Sequence, residues 1–232
     1  MSESLVPRRF FLSRLGAIAA ALGISSTIGC AAPAAGGDAN KDAATPAAAP
    51  PDELESWIAA TFKGQHKCIY DCVLAGGAID GILYARNLIV SSQEKLGTKD
   101  SDMSVIVSFR HFATPFGYND AMWAKYPMLA QIMKYDDPTT KKPAVRNVPL
   151  HDEWSGFSDA SIPGMAKHGV QFTVCGAATT FIAGALAGKT GDAKAIETEL
   201  LANLTPNTRV VPAGVVVLQR AQKGGFAYTF AG

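Results

Sequence analysis

The chain has 232 residues, 48% of them hydrophobic and 18% charged, enough to bury one sizeable core and too apolar for a disordered chain. Its formal charge of +1, without a basic run, excludes the electrostatic footprint of a nucleic-acid-binding protein. Four cysteines are too few for a disulfide-dense scaffold.

Arg8 and Arg9, followed by Phe10, Phe11, Leu12 and an Ala/Gly/Ile/Leu stretch, resemble a twin-arginine export signal. Such a signal is an address read by a receptor, and it implies work outside the cytoplasm, in a periplasm or at the outer face of an inner membrane. Residues 17–29 form the apolar core, shorter than the roughly 20 residues that a spanning helix needs. Residues 1–30 therefore read as a processed segment. Two processing readings fit. Thr27-Ile28-Gly29-Cys30 is similar to a lipoprotein cleavage box, which would lipidate Cys30 and make that lipid the only membrane contact. Alternatively, cleavage falls among Ala31, Ala32, Ala34 and Ala35 and discards Cys30. Residues 1–29 hold Arg8, Arg9 and Arg14 against Glu3, so the remainder carries a formal charge of −1.

Residues 31–52 are rich in Ala, Pro, Gly and Asp without apolar periodicity and read as a flexible linker. The folded domain is then 53–232. Residues 66–73 form a short β-branched run bounded by glycines, a strand. Apolar residues at spacings of three and four over 78–95 predict an amphipathic helix, ended by Gly97. Residues 104–109 predict a second buried strand. Asn119 or Asp120 caps a helix running through Met122, Trp123, Tyr126 and Leu129. The polar, proline-punctuated segment 134–163 reads as a long loop or insertion, the length expected of a lid or an assembly arm. A third strand covers 169–175, with helices over 176–186 and 193–204. Strand 208–212, helix 213–223 and strand 226–230 complete the chain.

Strands alternating with helices give an α/β class: one mainly parallel sheet of about five strands with helices on both faces. Ligands bind such sheets outside the carboxyl ends of the strands. Cys72, Arg110, His111, Cys175 and the Pro212-Ala213-Gly214 run all fall at those ends. Cys175 precedes Gly176 at a helix start, where the first free N–H groups favour thiolate over thiol. A small buried hydrophobe is the competing reading for the same residue. His111 can orient or deprotonate a thiol, and Arg110 can hold an anion, although a histidine bonded to loop backbone fits as well. Cys72 is a candidate second thiol if its strand neighbours that of Cys175. Cys68 and Cys72, four residues apart on a strand, span roughly 13 Å and cannot share one metal ion. His66, His151 and His168 show no partner pattern. No cofactor fingerprint is present: Gly76-Gly77-Ala-Ile-Asp-Gly81 lacks the dinucleotide spacing.

Gly169-Val-Gln-Phe-Thr-Val-Cys-Gly-Ala-Ala178, Val210-Val-Pro-Ala-Gly-Val-Val-Val-Leu-Gln219 and Gly224-Gly-Phe-Ala-Tyr228 together resemble the DsrE/F-like family, over about residues 65–230. That resemblance implies a small α/β domain of flavodoxin-like arrangement, assembled as a homo-oligomer. It also implies a persulfide-forming cysteine at Cys175, working with small sulfur species or a sulfur-carrier protein. The export signal, segment 134–163 and Arg110-His111-Phe-Ala-Thr114-Pro-Phe116 differ from cytoplasmic members and resemble an exported branch. Two other function classes fit the same residues. One is a non-catalytic binding or assembly protein that uses 134–163 for partners, and the other is an exported metal-binding protein.

Overall fold

The computed structural model describes residues 52–232. The twin-arginine motif, Cys30 and the linker up to residue 51 lie outside the described residues. Five parallel strands form one sheet: β1 (His66–Cys72), β2 (Met103–Phe109), β3 (Gln171–Cys175), β4 (Thr208–Val211) and β5 (Ala227–Phe230). Their order across the sheet is β4-β3-β2-β1-β5. The chain thus steps outward from β1 to β4, then returns to add β5 on the other side of β1.

A helix opens the domain: α1 (Glu53–Thr61), for which the sequence pattern gave no helix, is capped by the Asp52 carboxylate on the Glu55 N–H. It is short, and only Leu54 and Ile58 of it are buried, too few to make a periodic signal. The long crossover α2 (Ala75–Leu96) ends at Gly97, whose φ of 71° makes the left-handed cap that glycine adopts without penalty. The expected single helix after Asn119 is two helices, α3 (Asp120–Lys125) and α4 (Met128–Met133). Pro127 divides them because it has no N–H to continue the first. The Asn119 side chain accepts the Met122 N–H, as a helix cap should.

Three further helices lie between β3 and β5. They are α6 (Gly176–Ala187), α7 (Ala193–Ala202) and α8 (Gly214–Lys223), and α5 (Ile162–Lys167) precedes β3. The long loop is therefore shorter than expected, since α5 begins inside it, capped by Ser161 on the Gly164 N–H.

Alternation along the strands sorts the side chains into two layers. Tyr70, Cys72, Val105, Val107, Phe109 and Phe172 face α2 through α7, where Trp123, Leu129, Ile162, Met165 and Leu200 complete the larger core. Ile69, Ile106 and Val211 face the opposite side and pack against Leu54, Ile58, Phe62, Val217 and Leu218 of α1, its cap and α8. Among the described residues no helix is long and apolar enough to cross a membrane.

The segment 134–161 is anchored to the larger core at a few positions. Ala144 and Val148 are buried, and Asn147 Nδ2 donates to the carbonyls of Phe116 and Tyr118 at 2.7 Å each. Asp137 carries the turn: burial raises its carboxyl, but the N–H groups of Thr139 and Thr140 and the Arg146 guanidinium together hold it below the usual carboxylate range. Asn147→Ala leaves two buried carbonyls without donors and should lower unfolding stability by about 2 kcal/mol, read by denaturant titration. An unchanged midpoint would mean that the segment is not held by this residue.

Candidate functional site

Register decides which side chains meet. Cys72 pairs with Phe109, and Phe109 pairs with Val174. Cys175, one residue further along β3, pairs with Val211. A one-residue step turns a side chain to the other face of a sheet. Cys72 therefore points into the α2 layer, where a Cβ on Gly81 would overlap its sulfur. Cys175 belongs to the α8 side. With β2 also standing between their strands, the expected Cys72–Cys175 neighbourhood does not exist, and neither a disulfide nor a resolving thiol can form between them within this chain.

The residue that does share a row with Cys175 is Arg110, the position after β2 on the adjacent strand. Its guanidinium makes a two-pronged pair with Asp71: Nε to Oδ1 at 2.6 Å and Nη2 to Oδ2 at 2.9 Å. The Asp71 side chain is only 1% exposed. A carboxylate that deep requires a charged partner with good geometry, and the hydrogen bond to Asp71 in turn holds the Arg110 proton more firmly than usual. Tyr228, from the far edge strand β5, donates its hydroxyl to Asp71 Oδ2 at 2.8 Å. Burial, then the Asp71 bond, push the Tyr228 phenol above its ordinary range.

Gly214 makes the close approach possible. A Cβ there would overlap the Arg110 side chain, 2.9 Å from its Cδ, so only glycine lets the start of α8 rest on this arginine. Cys175 sits at the start of α6, its Sγ accepting the Ala178 N–H at 3.3 Å. The Ala177 N–H is given to the Pro212 carbonyl, which ties the β3–α6 and β4–α8 turns together.

These elements surround a pocket of about 380 Å³ lined by Arg110, His111, Phe112, Cys175, Phe181 and Gly214, with small apolar residues between them. The crevice has a topological cause. After β3 the chain leaves to the α2 side as α6, and after the adjacent β4 it leaves to the opposite side as α8. Neighbouring strands whose connections part in this way open a cleft at their carboxyl ends.

Of the residues singled out from sequence, Cys175, Arg110 and His111 line this pocket together, and Cys72 does not. His111 is exposed, in the left-handed region at φ 53°, and its ring packs on Phe112 at 4.1 Å between centroids. It forms no hydrogen bond to Cys175 among the described residues. His151 and His168 contact Asp120 and Asp100 at 2.9 Å, away from the pocket. Asp71, Tyr228 and Phe181 escaped the sequence reading. Asp71 had a signal: a charged residue between Ile69-Tyr70 and Cys72-Val73 is a buried charge that needs a partner. Tyr228 had none, because its role depends on which edge β5 occupies. No three metal-ligating side chains cluster among the described residues.

Comparison with family models, with curated proteins and with solved structures finds no match to this chain.

The three thiols differ in setting. Burial, then the Asp71 and Asp80 carboxylates, push the Cys72 thiol well up, and burial also raises Cys68. Small alkylating reagents should therefore label Cys175 in the folded protein and Cys72 only after unfolding, as peptide mass spectrometry would read. Equal labelling rates for the two would sink this assignment. A neutral thiol held in the fold ionises first in the unfolded chain. The stability it contributes is complete below about pH 8.5 and declines as pH rises beyond it. Cys72→Ala should flatten that alkaline slope of the unfolding midpoint.

Proposed function

We propose that this protein handles sulfane sulfur through a persulfide on Cys175. The observation carrying this reading is that Cys175 is the thiol in the wall of the pocket at the β3/β4 crevice, on the same face as Arg110 and accepting an N–H at a helix start.

In the proposed step the Cys175 thiolate, its proton lost to solvent, attacks the outer sulfur of a donor. A new Sγ–S bond forms, the donor's bond to that sulfur breaks, and the leaving group takes the electron pair. The Cys175 persulfide then passes its outer sulfur to an acceptor thiol or a sulfur-carrier protein by the same exchange. Arg110 has five N–H donors, of which Nε and Nη2 are used on Asp71. Arg110 lines the pocket, and its N–H groups not used on Asp71 would hold the anionic end of donor and leaving group. Asp71 and Tyr228 act on the reaction by fixing that guanidinium.

The resemblance of the 169–178, 210–219 and 224–228 segments to the DsrE/F-like family supports the reading, as does the five-stranded parallel sheet. The family pattern extends it to a homo-oligomer. Arg8-Arg9 and the residues after them support export, with Cys30 as the position that would carry a lipid. The alternative, a binding or assembly protein acting through 134–163, draws less support, because Ala144, Asn147 and Val148 of that segment are committed to the core.

Incubation with a sulfane-sulfur donor followed by intact mass should add one sulfur atom to the wild-type chain and none to Cys175→Ser. Arg110→Gln combined with Asp71→Asn, so that no carboxylate is left buried alone, should slow the addition by about tenfold or more while leaving the thiol in place. Equal addition to Cys175→Ser, or none to wild type, overturns the proposal.

A further inference from the structure

The walls of the Cys175 pocket carry information about the donor, resting on the sulfur-transfer reading above. We infer that the donor is an organic sulfane-sulfur compound with an apolar body and a singly anionic sulfur end, as in an organic thiosulfonate or persulfide, and not a small inorganic dianion such as thiosulfate.

Charge is the first argument. Among the described residues Arg110 is the only arginine or lysine in the lining, and its charge is already matched by the buried Asp71 at 2.6 and 2.9 Å. A dianion moved from water into this pocket would meet one ion-paired cation, the exposed His111 ring and the starts of two helices. It would lose more hydration than those groups return. A monoanion needs only the guanidinium N–H groups not used on Asp71.

Shape is the second. Phe112, Ala177, Ala178, Phe181, Ile182 and Val215 make most of the wall, and about 380 Å³ lies within the range of pockets that enclose a small organic ligand. An inorganic ion would touch Cys175 and leave this apolar surface wet.

The mouth is the third. Phe181 of α6 is 68% exposed and Val215 of α8 is 60% exposed. Single exposed apolar residues are ordinary, but these two come from different helices and both line one crevice that also holds the thiol. An apolar body bound between them would remove both from water.

With a thiosulfonate the step balances as follows. The Cys175 thiolate bonds to the terminal sulfur, the bond between that sulfur and the sulfonyl sulfur breaks, and a sulfinate leaves with the electron pair. One sulfur atom moves, total charge is conserved, and no outside oxidant or reductant takes part.

The test separates binding from transfer. Calorimetric titration of the full chain with benzenesulfinate, the leaving group itself, should give binding at least about tenfold tighter than sulfite. Phe181→Ala, at an exposed position, should weaken benzenesulfinate by about tenfold and leave sulfite unchanged. In a parallel mass assay, benzenethiosulfonate should load sulfur onto Cys175 faster than thiosulfate does. Sulfite binding as tightly as benzenesulfinate, or no effect of Phe181→Ala, overturns the inference while leaving sulfur transfer by Cys175 intact. Preference for benzenesulfinate with no sulfur loaded from either donor overturns the transfer reading and the assignment of this pocket to a donor.

Discussion

The architecture around the site depends on one buried charge. Asp71 is the penultimate residue of β1, its side chain sealed from water, and an isolated carboxylate there would cost several kcal/mol. Arg110 answers it in two hydrogen bonds, and Tyr228 adds a third from another strand. The arrangement joins three adjacent strands, β5, β1 and β2, through side chains as well as backbone. It also dictates that α8 begin with glycine, since the arginine occupies the space a Cβ would need. Removing either charged partner would leave the other buried alone, so the pair resists piecemeal change.

Much of the fold was legible because strand and helix periods differ. Runs such as Val105-Ile106-Val107 have no polar face and can only be a strand covered on both sides, and the spacing of Ile82, Ala85 and Ile89 suits one face of a helix. What the pattern concealed has physical reasons. Pro127 interrupts a helix whose apolar residues, Trp123 and Leu129, continue on both sides of the break as if nothing had happened. The opening helix leaves no periodic pattern, because its buried face within Glu53–Thr61 is two residues, Leu54 and Ile58.

The site was half legible for a different reason. Strand ends can be found in a sequence, and Cys175, Arg110 and His111, all at strand ends, line one pocket. Strand order cannot be found in the same way. The pairing of Cys72 with Cys175 needed β1 beside β3, and the observed order inserts β2. In the observed register the two cysteines are also one residue out of step and face opposite sides of the sheet. Phe181 and Tyr228 contribute through tertiary position alone and leave no local mark.

The return of β5 to the side of β1 has a consequence for how the domain is made. β1 is paired on one flank with a strand about thirty residues later and on the other with one that arrives at Ala227. The Asp71–Tyr228 contact spans 157 residues. Pairings of such high contact order are slow to form, since the chain must close a long loop before any contact rewards it. A nascent chain would therefore carry an open edge on β1, beside an incompletely bonded carboxylate, until synthesis of the domain is nearly complete.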